Sequence, residues 1–315
     1  LNFNFRDNDH ITPIILPFLV SDLRNTFLSQ SGVDRIFQNY LFKELSLVFN
    51  KFSKNIYLAE SKPWERSLCF HLSNNTYAYS HATVRYWDIR YSFYFDSNES
   101  TMNKYYPLKL LVTGQHQINN MLLDDSYFKN KNIKYVEATR YLDLNQRQNN
   151  LLSTRQLKLN ILIVGDASKG SSSRLIEILN NIQDKFYVNN FTFRAHPLAH
   201  FNQADFSFEI AFDQTSSIST SICNSNIVIT THLTSASYDC YCHSKPVLIM
   251  SHESGLNLSP LKKNEFDEFN NSTELSFLLD SFLLKPIADS SQKTLNMGRK
   301  LYIDKNLSKW ISILS

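Results

Sequence analysis

Three short polar clusters in the second half of the chain hold residue types that suit an anionic ligand. Thr234-Ser235-Ala236-Ser237 lies between an apolar run and a segment with helical spacing. Hydroxyls beside the unpaired N–H groups of a helix start suit a phosphate. The ordinary alternative is capping, which a single hydroxyl satisfies. His196-Pro197 is the second cluster. Proline restricts the preceding residue to extended or turn geometry. That would project the imidazole from a strand end, where it could donate to a phosphate or assist a departing group. Arg194 and His200 flank it, either as added positive charge or as solvated surface residues. Gly165-Asp166-Ala167-Ser168 is the third cluster. A glycine at a strand-to-helix turn lets a ligand approach the backbone closely, while Asp166 equally suits a helix cap. The G-x-G-x-x-G fingerprint is absent, which disfavours a dinucleotide site.

The first half carries a different constellation. Pro63-Trp64-Glu65-Arg66 and the stretch from His81 to Tyr91 place Glu65, His81, Arg85, Asp88 and Arg90 among aromatic residues. Rings beside charged groups suit sugar faces and hydroxyls, so Trp64, Arg85 and Trp87 are candidates for holding an acceptor. Glu65 or Asp88 could deprotonate a hydroxyl, and His81 is a further candidate for proton transfer. The competing reading is an aromatic core rimmed by ion pairs, such as Asp88 with Arg85 or Arg90.

These residues need a scaffold, and the sequence supplies a rhythm for one. Apolar runs at Leu159–Val164, Phe191–Arg194, Ile227–Thr231 and Lys245–Met250 read as strands. Between them, Ser171–Asp184 puts Leu175, Ile178, Leu179 and Ile182 on one helical face, and Ser216–Asn224 reads as a further helix. Strands alternating with amphipathic helices predict a parallel sheet covered on both faces, with ligands at the C-terminal strand ends. The first half repeats the rhythm less clearly: an amphipathic helix over Asp34–Phe52, a helix over Pro63–Leu72, and strands at Ile56–Ala59, Tyr77–Ser80, Leu108–Thr113 and Lys134–Glu137. The polar run from Asn145 to Lys158 divides the chain, so the expected domains are 1–150, holding an acceptor, and 151–315, holding a nucleotide-activated donor.

The bulk composition narrows the function classes. With 43% hydrophobic and 19% charged residues, the 315-residue chain has ample material for two cores. A net charge of +3, scattered along the chain, gives no concentrated basic face for nucleic acid. It leaves room for loose contact with an anionic membrane. Cys69, Cys223, Cys240 and Cys242 fit neither zinc spacing nor a disulfide framework and are expected as four buried thiols in a reducing cytoplasm. No window is long enough to span a bilayer, and the apolar stretch Ile11–Val20 is interrupted by Pro13 and Pro17. Leu1 is compatible with a segment removed upstream. The expected location is the cytoplasm, with peripheral contact at the inner face of its membrane left open.

Taken in order, the motifs resemble a bacterial family of surface-carbohydrate biosynthesis proteins. They are Trp64-Glu65, the segment from His81 to Asp88, Gly165-Asp166, His196-Pro197, Thr234 to Ala236, Asn257 to Pro260, and Leu307 to Trp310. More distantly, the His-Pro and serine motifs are similar to those of sialyl-, pseudaminyl- and Kdo transferases. The resemblance implies an α/β fold of GT-B type, with two Rossmann-like domains facing an interdomain cleft. It further implies a metal-independent glycosyltransferase without a cofactor. The enzyme would move a sialic-acid-like nonulosonate or Kdo from a CMP-activated donor to a glycan or glycolipid acceptor. On that reading Gly165, Asp166, Ser168, His196, Pro197, Thr234, Ser235 and Ser237 hold the donor, Glu65, Asp88 and His81 carry the chemistry, and Trp64, Arg85 and Trp87 hold the acceptor. The sialyltransferase acidic-Gly motif has no counterpart in the first half, so the base stays open. Competing expectations are an NDP-sugar or CDP-glycerol donor, and a non-catalytic glycan-binding or assembly subunit. A sugar-nucleotide epimerase is weakened by the missing dinucleotide fingerprint.

Overall fold

The computed structural model describes residues 20–22, 24–26, 29–72, 75–85, 88–91, 104–121, 128, 132–142, 158–182, 190–263, 265–284 and 301–315. The polar run expected to divide the chain lies outside the described residues except for Lys158, and so does the stretch 11–20 except for Val20.

Helical residues at 20–22 and 24–26 precede helix α1 (Gln30–Phe49), whose start is capped by Ser29 accepting from the Ser31 N–H. Its packed side places Phe42 against Trp64 at a ring separation of 6.0 Å. The opposite side leaves Val33, Ile36, Phe37, Tyr40 and Leu47 exposed, so the apolar stripe of this amphipathic helix is not buried. Strand β1 (Asn55–Leu58), helix α2 (Pro63–Leu72) and strand β2 (Thr76–Tyr79) follow. Pro63 begins α2 where a missing N–H costs nothing. β1 and β2 pair in parallel, Asn55 opposite Thr76 and Leu58 opposite Tyr79. With β3 (Lys109–Val112) and β4 (Ile133–Tyr135) they form a sheet in the order β1-β2-β3-β4. Helix α3 (Gln115–Asn120) lies between β3 and β4 in the chain.

The larger sheet follows the expected rhythm. Its strands are β5 (Asn160–Val164), β6 (Asn190–Arg194), β7 (Ala211–Phe212), β8 (Ile227–Thr231), β9 (Val247–Met250) and β10 (Asp267–Phe269), ordered β10-β9-β8-β5-β6-β7. Every pairing in it is parallel. Parallel strands covered on both faces need apolar side chains pointing both ways. Ile161, Ile163, Phe193 and Ile229 accordingly enter one buried cluster, where they meet α4 (Lys169–Asn180) and α7 (Ser272–Leu284). Leu162, Val164 and Val228 enter a second cluster with α5 (Ile218–Asn224) and α6 (Ala236–Cys242). The stripe predicted on α4 is buried throughout, Leu175 and Leu179 at 0% exposure. Burying each such leucine stabilises by about 2 kcal/mol relative to leaving it exposed.

Two compact units result, Leu1–Tyr79 with Phe95–Leu110, and Ser80–Tyr94 with Leu111–Ser315. Among the cysteines, Cys69, Cys240 and Cys242 are buried free thiols, whereas Cys223 is only partly covered, which corrects the expectation of four buried thiols. Every residue of α6 is buried, so Cys240 and Cys242 are enclosed although they leave the helix on different sides.

Candidate functional site

The C-terminal ends of the β5, β6, β8 and β9 strands carry Gly165-Asp166, His196, His232 and His252. The first of these turns is tied up by its own hydrogen bonds. A side chain at Gly165 would bring a Cβ to 3.0 Å from Ser172 Oγ, so a larger residue would press on α4. Asp166 is buried, accepts from Ser168 N at 2.6 Å and takes the Thr231 hydroxyl hydrogen, which fastens β5 to β8. Ser168 in turn caps α4 by accepting from Ser171 N. Ser237 is likewise occupied: it is fully buried and its hydroxyl donates to the Thr234 carbonyl at 3.1 Å. Thr234 Oγ1 caps Ala236 N at 3.2 Å, so capping falls to Thr234, and Ser235 makes no side-chain cap bond.

His196 behaves differently. Its Nδ1 accepts from Leu198 N at 3.1 Å, and Pro197 beside it is exposed. That bond places the hydrogen of a neutral ring on Nε2. Arg194, expected as spare positive charge, is committed: Asp213 lies 2.6 Å away, and Thr215 and Ser221 accept from the same nitrogen. Burial acts to raise the Asp213 pKa, but hydrogen bonds from Ser221, Thr215 and Arg194 outweigh it and hold the carboxyl below the ordinary range.

A cavity of about 680 Å³ gathers a different subset of the expected residues, all within the second compact unit. His81, Arg85, Asp88 and Ser235 line it, joined by Arg90 and Arg140. Arg85 is exposed and donates to the Leu233 carbonyl at 2.6 Å. Asp88 is grasped by Arg90, whose Nε sits 2.8 and 2.9 Å from its two oxygens, which realises one of the ion pairs weighed from sequence. Arg140 is half exposed and bonds Asp239 at 2.7 Å. Asp239 also accepts from the Tyr141 hydroxyl at 2.6 Å; burial pushes its pKa up, against the pull of Arg140 and Tyr141. Three guanidiniums line the cavity; Arg90 is offset by Asp88 and Arg140 by Asp239, which leaves the charge of Arg85 in excess, a setting for a phosphate or carboxylate group.

The remaining candidates lie elsewhere. Gly165, Asp166, Ser168, His196, Pro197, Thr234 and Ser237 do not line this cavity. Trp64 and Glu65 belong to the first unit, where Trp64 packs between Phe42 and Tyr57. The Glu65 carboxylate is buried and accepts from Glu60 N at 2.9 Å and Lys62 N at 2.7 Å, an arrangement that anchors the loop before α2. Burial raises its pKa more strongly than these hydrogen bonds lower it. Trp87 is outside the described residues. Sequence reasoning passed over Arg140 and His232. The signal for His232 was its position directly after β8, whereas Arg140 follows the end of β4 by five residues and carried no such signal. His232 is 6% exposed, and its pKa is lowered by burial and by His252, whose ring lies 4.8 Å away.

No family model matches the chain, and no curated protein matches it. Solved structures do. The chain is similar to a UDP-N-acetylglucosamine 2-epimerase, by description, from Listeria monocytogenes, at 11% identity over 88% of this chain and 77% of that one, with a TM-score of 0.55. It is also similar to Staphylococcus aureus MnaA crystallised with UDP, at 10% identity over 93% and 84%, TM-score 0.53. The fold is GT-B. Anabaena HepE, crystallised with UDP and glucose, is a third likeness, at 10% identity over 86% and 81%, TM-score 0.50.

Proposed function

We propose that this chain is a glycosyltransferase that moves a sugar from a nucleotide-activated donor onto a cell-surface glycan. The observation that carries the reading is the electropositive cavity in a GT-B fold, with Arg85, Arg140 and Ser235 placed to bind an anionic group and His81 beside them. In this reading the guanidiniums hold the phosphate and stabilise charge that develops as the nucleotide leaves. His81 takes the proton of the attacking acceptor hydroxyl as the new C–O bond forms, and the nucleotide departs with the electron pair of the old one. Asp88 orients Arg90 through its bidentate contact rather than acting as the base. The fixed hydrogen bonds of Glu65 argue against that role for it as well.

The donor we favour is a CMP-activated nonulosonate or Kdo, on the sequence resemblance of the His196-Pro197 and Thr234-Ser235 motifs, of which Ser235 alone lines the cavity. Such a donor carries a carboxylate as well as a phosphate, and Arg85 with the half-exposed Arg140 is the pair that would meet them. A UDP-sugar is the second reading, supported by the UDP bound in MnaA and HepE. Thermal shift with CMP, CDP and UDP separates them. Stabilisation by CMP alone supports the first, and stabilisation by UDP alone sinks it. A protein that responds to no nucleotide at millimolar concentration, and whose His81→Ala variant still supports glycan synthesis in cells, is a binding or assembly subunit instead.

A further inference from the structure

The cavity is bordered by two loops far apart in sequence, one at 81–90 and one ending at Pro260. A buried side chain that lines neither loop joins them. Asn120, the last residue of α3, is 2% exposed. Its Nδ2 donates to the Val84 carbonyl at 3.0 Å and to the Pro260 carbonyl at 2.7 Å, which uses both amide hydrogens. Gln117, one turn earlier, supports the same loop: its Nε2 donates to the Ser80 carbonyl at 2.9 Å and to the Ala82 carbonyl at 3.2 Å. Its Oε1 accepts from Thr113 N at 2.7 Å, which fixes the amide's orientation at the end of β3.

We infer that Asn120 is a positioning residue: it sets the width of the cavity by holding the backbone of both bordering loops from behind. Only a primary amide of this length offers two hydrogens to two carbonyls and no charge. Asn120 touches no ligand in this scheme. It fixes where Arg85 stands relative to Leu258 and Pro260, and thereby the fit of the anionic ligand.

The effect on ligand binding rests on the nucleotide reading above; the effect on the loops does not. The experiment therefore measures both in Asn120→Ala and Asn120→Asp. Hydrogen exchange is followed by mass spectrometry in 80–85, in 257–261, and in strands β5 and β8 as a folding control. Nucleotide affinity is measured by calorimetry with CMP and UDP. Asparagine to aspartate keeps the shape but turns a double donor into an acceptor facing two carbonyls. The clamp therefore predicts faster exchange in both loops for each variant, more so for Asn120→Asp than for Asn120→Ala, while β5 and β8 stay protected. Leaving carbonyls unpaired and the loops loose weakens nucleotide binding about tenfold or more. A residue that merely fills space predicts the opposite order, with aspartate close to wild type, and that result overturns the inference. Unchanged exchange in either loop also overturns it. If the wild-type protein binds no nucleotide, the donor reading fails and the exchange data still decide the clamp.

Discussion

Replacing Arg140 with alanine tests how the electropositive cavity is coupled to stability. Arg140 is half exposed, but its partner Asp239 has a side chain only 3% exposed. Removing one member of a buried pair costs about 3–5 kcal/mol, because a charge is left without compensation. The exposed half of Arg140 is screened by water, and Tyr141 continues to donate to Asp239, so the expected loss is about 2 kcal/mol near pH 8. The pH dependence gives the mechanism away. Burial already raises the Asp239 pKa above its ordinary value, and without Arg140 it rises further. A carboxyl whose folded pKa exceeds its unfolded one destabilises the fold when ionised and is relieved as pH falls through the folded value. The Arg140→Ala penalty should therefore shrink on going from pH 8 to pH 5. Urea titrations of wild type, Arg140→Ala, Asp239→Asn and the double variant provide the measurement. The double variant should recover most of the loss, since no charge is then stranded. A penalty under about 0.5 kcal/mol, or one equal at both pH values, would refute the argument that Asp239 depends on Arg140.

Three further outcomes follow from the geometry. Asp213→Asn should cost about 2–3 kcal/mol in urea unfolding while leaving nucleotide affinity unchanged, because Arg194 loses its counter-charge and not a ligand. The Asp213 folded pKa is depressed, so its contribution should be present above the unfolded carboxyl pKa of about 3.9 and fade as pH drops below it. Trp64→Ala should lower stability by about 3 kcal/mol through lost packing on Phe42 and Tyr57, and a loss of acceptor binding without loss of stability would restore the sugar-stacking role. Cys223 should react with a thiol reagent at pH 8 well before Cys69, whose thiol is pushed up to about 12 by burial; equal rates would contradict that assignment.

The sheet was legible because parallel strands buried on both faces read as apolar runs, and Ile227–Thr231 coincides with β8 at both ends. β7 was not legible, being two residues long in a stretch without periodicity. Helix α3 was missed for a better reason. Its buried residues are His116, Gln117 and Asn120, so it contributes nothing to a hydrophobic pattern. Its polar side chains hold backbone carbonyls, a use that composition cannot reveal. The motif residues show the converse limit. Asp166, Ser168 and Ser237 have the chemistry of a phosphate site, yet their hydrogen bonds are spent within the turns. A sequence names a hydroxyl or carboxyl but not the direction in which it points. The arginines of the cavity illustrate this too: Arg85 was singled out, while Arg140 looked like any surface charge beside Tyr141.

The division of the chain has a practical consequence for dissecting it. Ser80–Tyr94 is grouped with the second compact unit, although Phe95–Leu110 returns to the first. A fragment that begins after Leu110 therefore lacks the stretch bearing His81, Arg85, Asp88 and Arg90. Its β5–β10 sheet could still form, but half the cavity wall would be gone and the Asn120 amide would be left with one carbonyl partner of its two. Synthesis on the ribosome meets the same constraint in time: the wall emerges early and must wait for the strands that complete its surroundings. Fragment expression, domain swapping with a relative, and circular permutation should all keep residue 80 joined to its C-terminal neighbours.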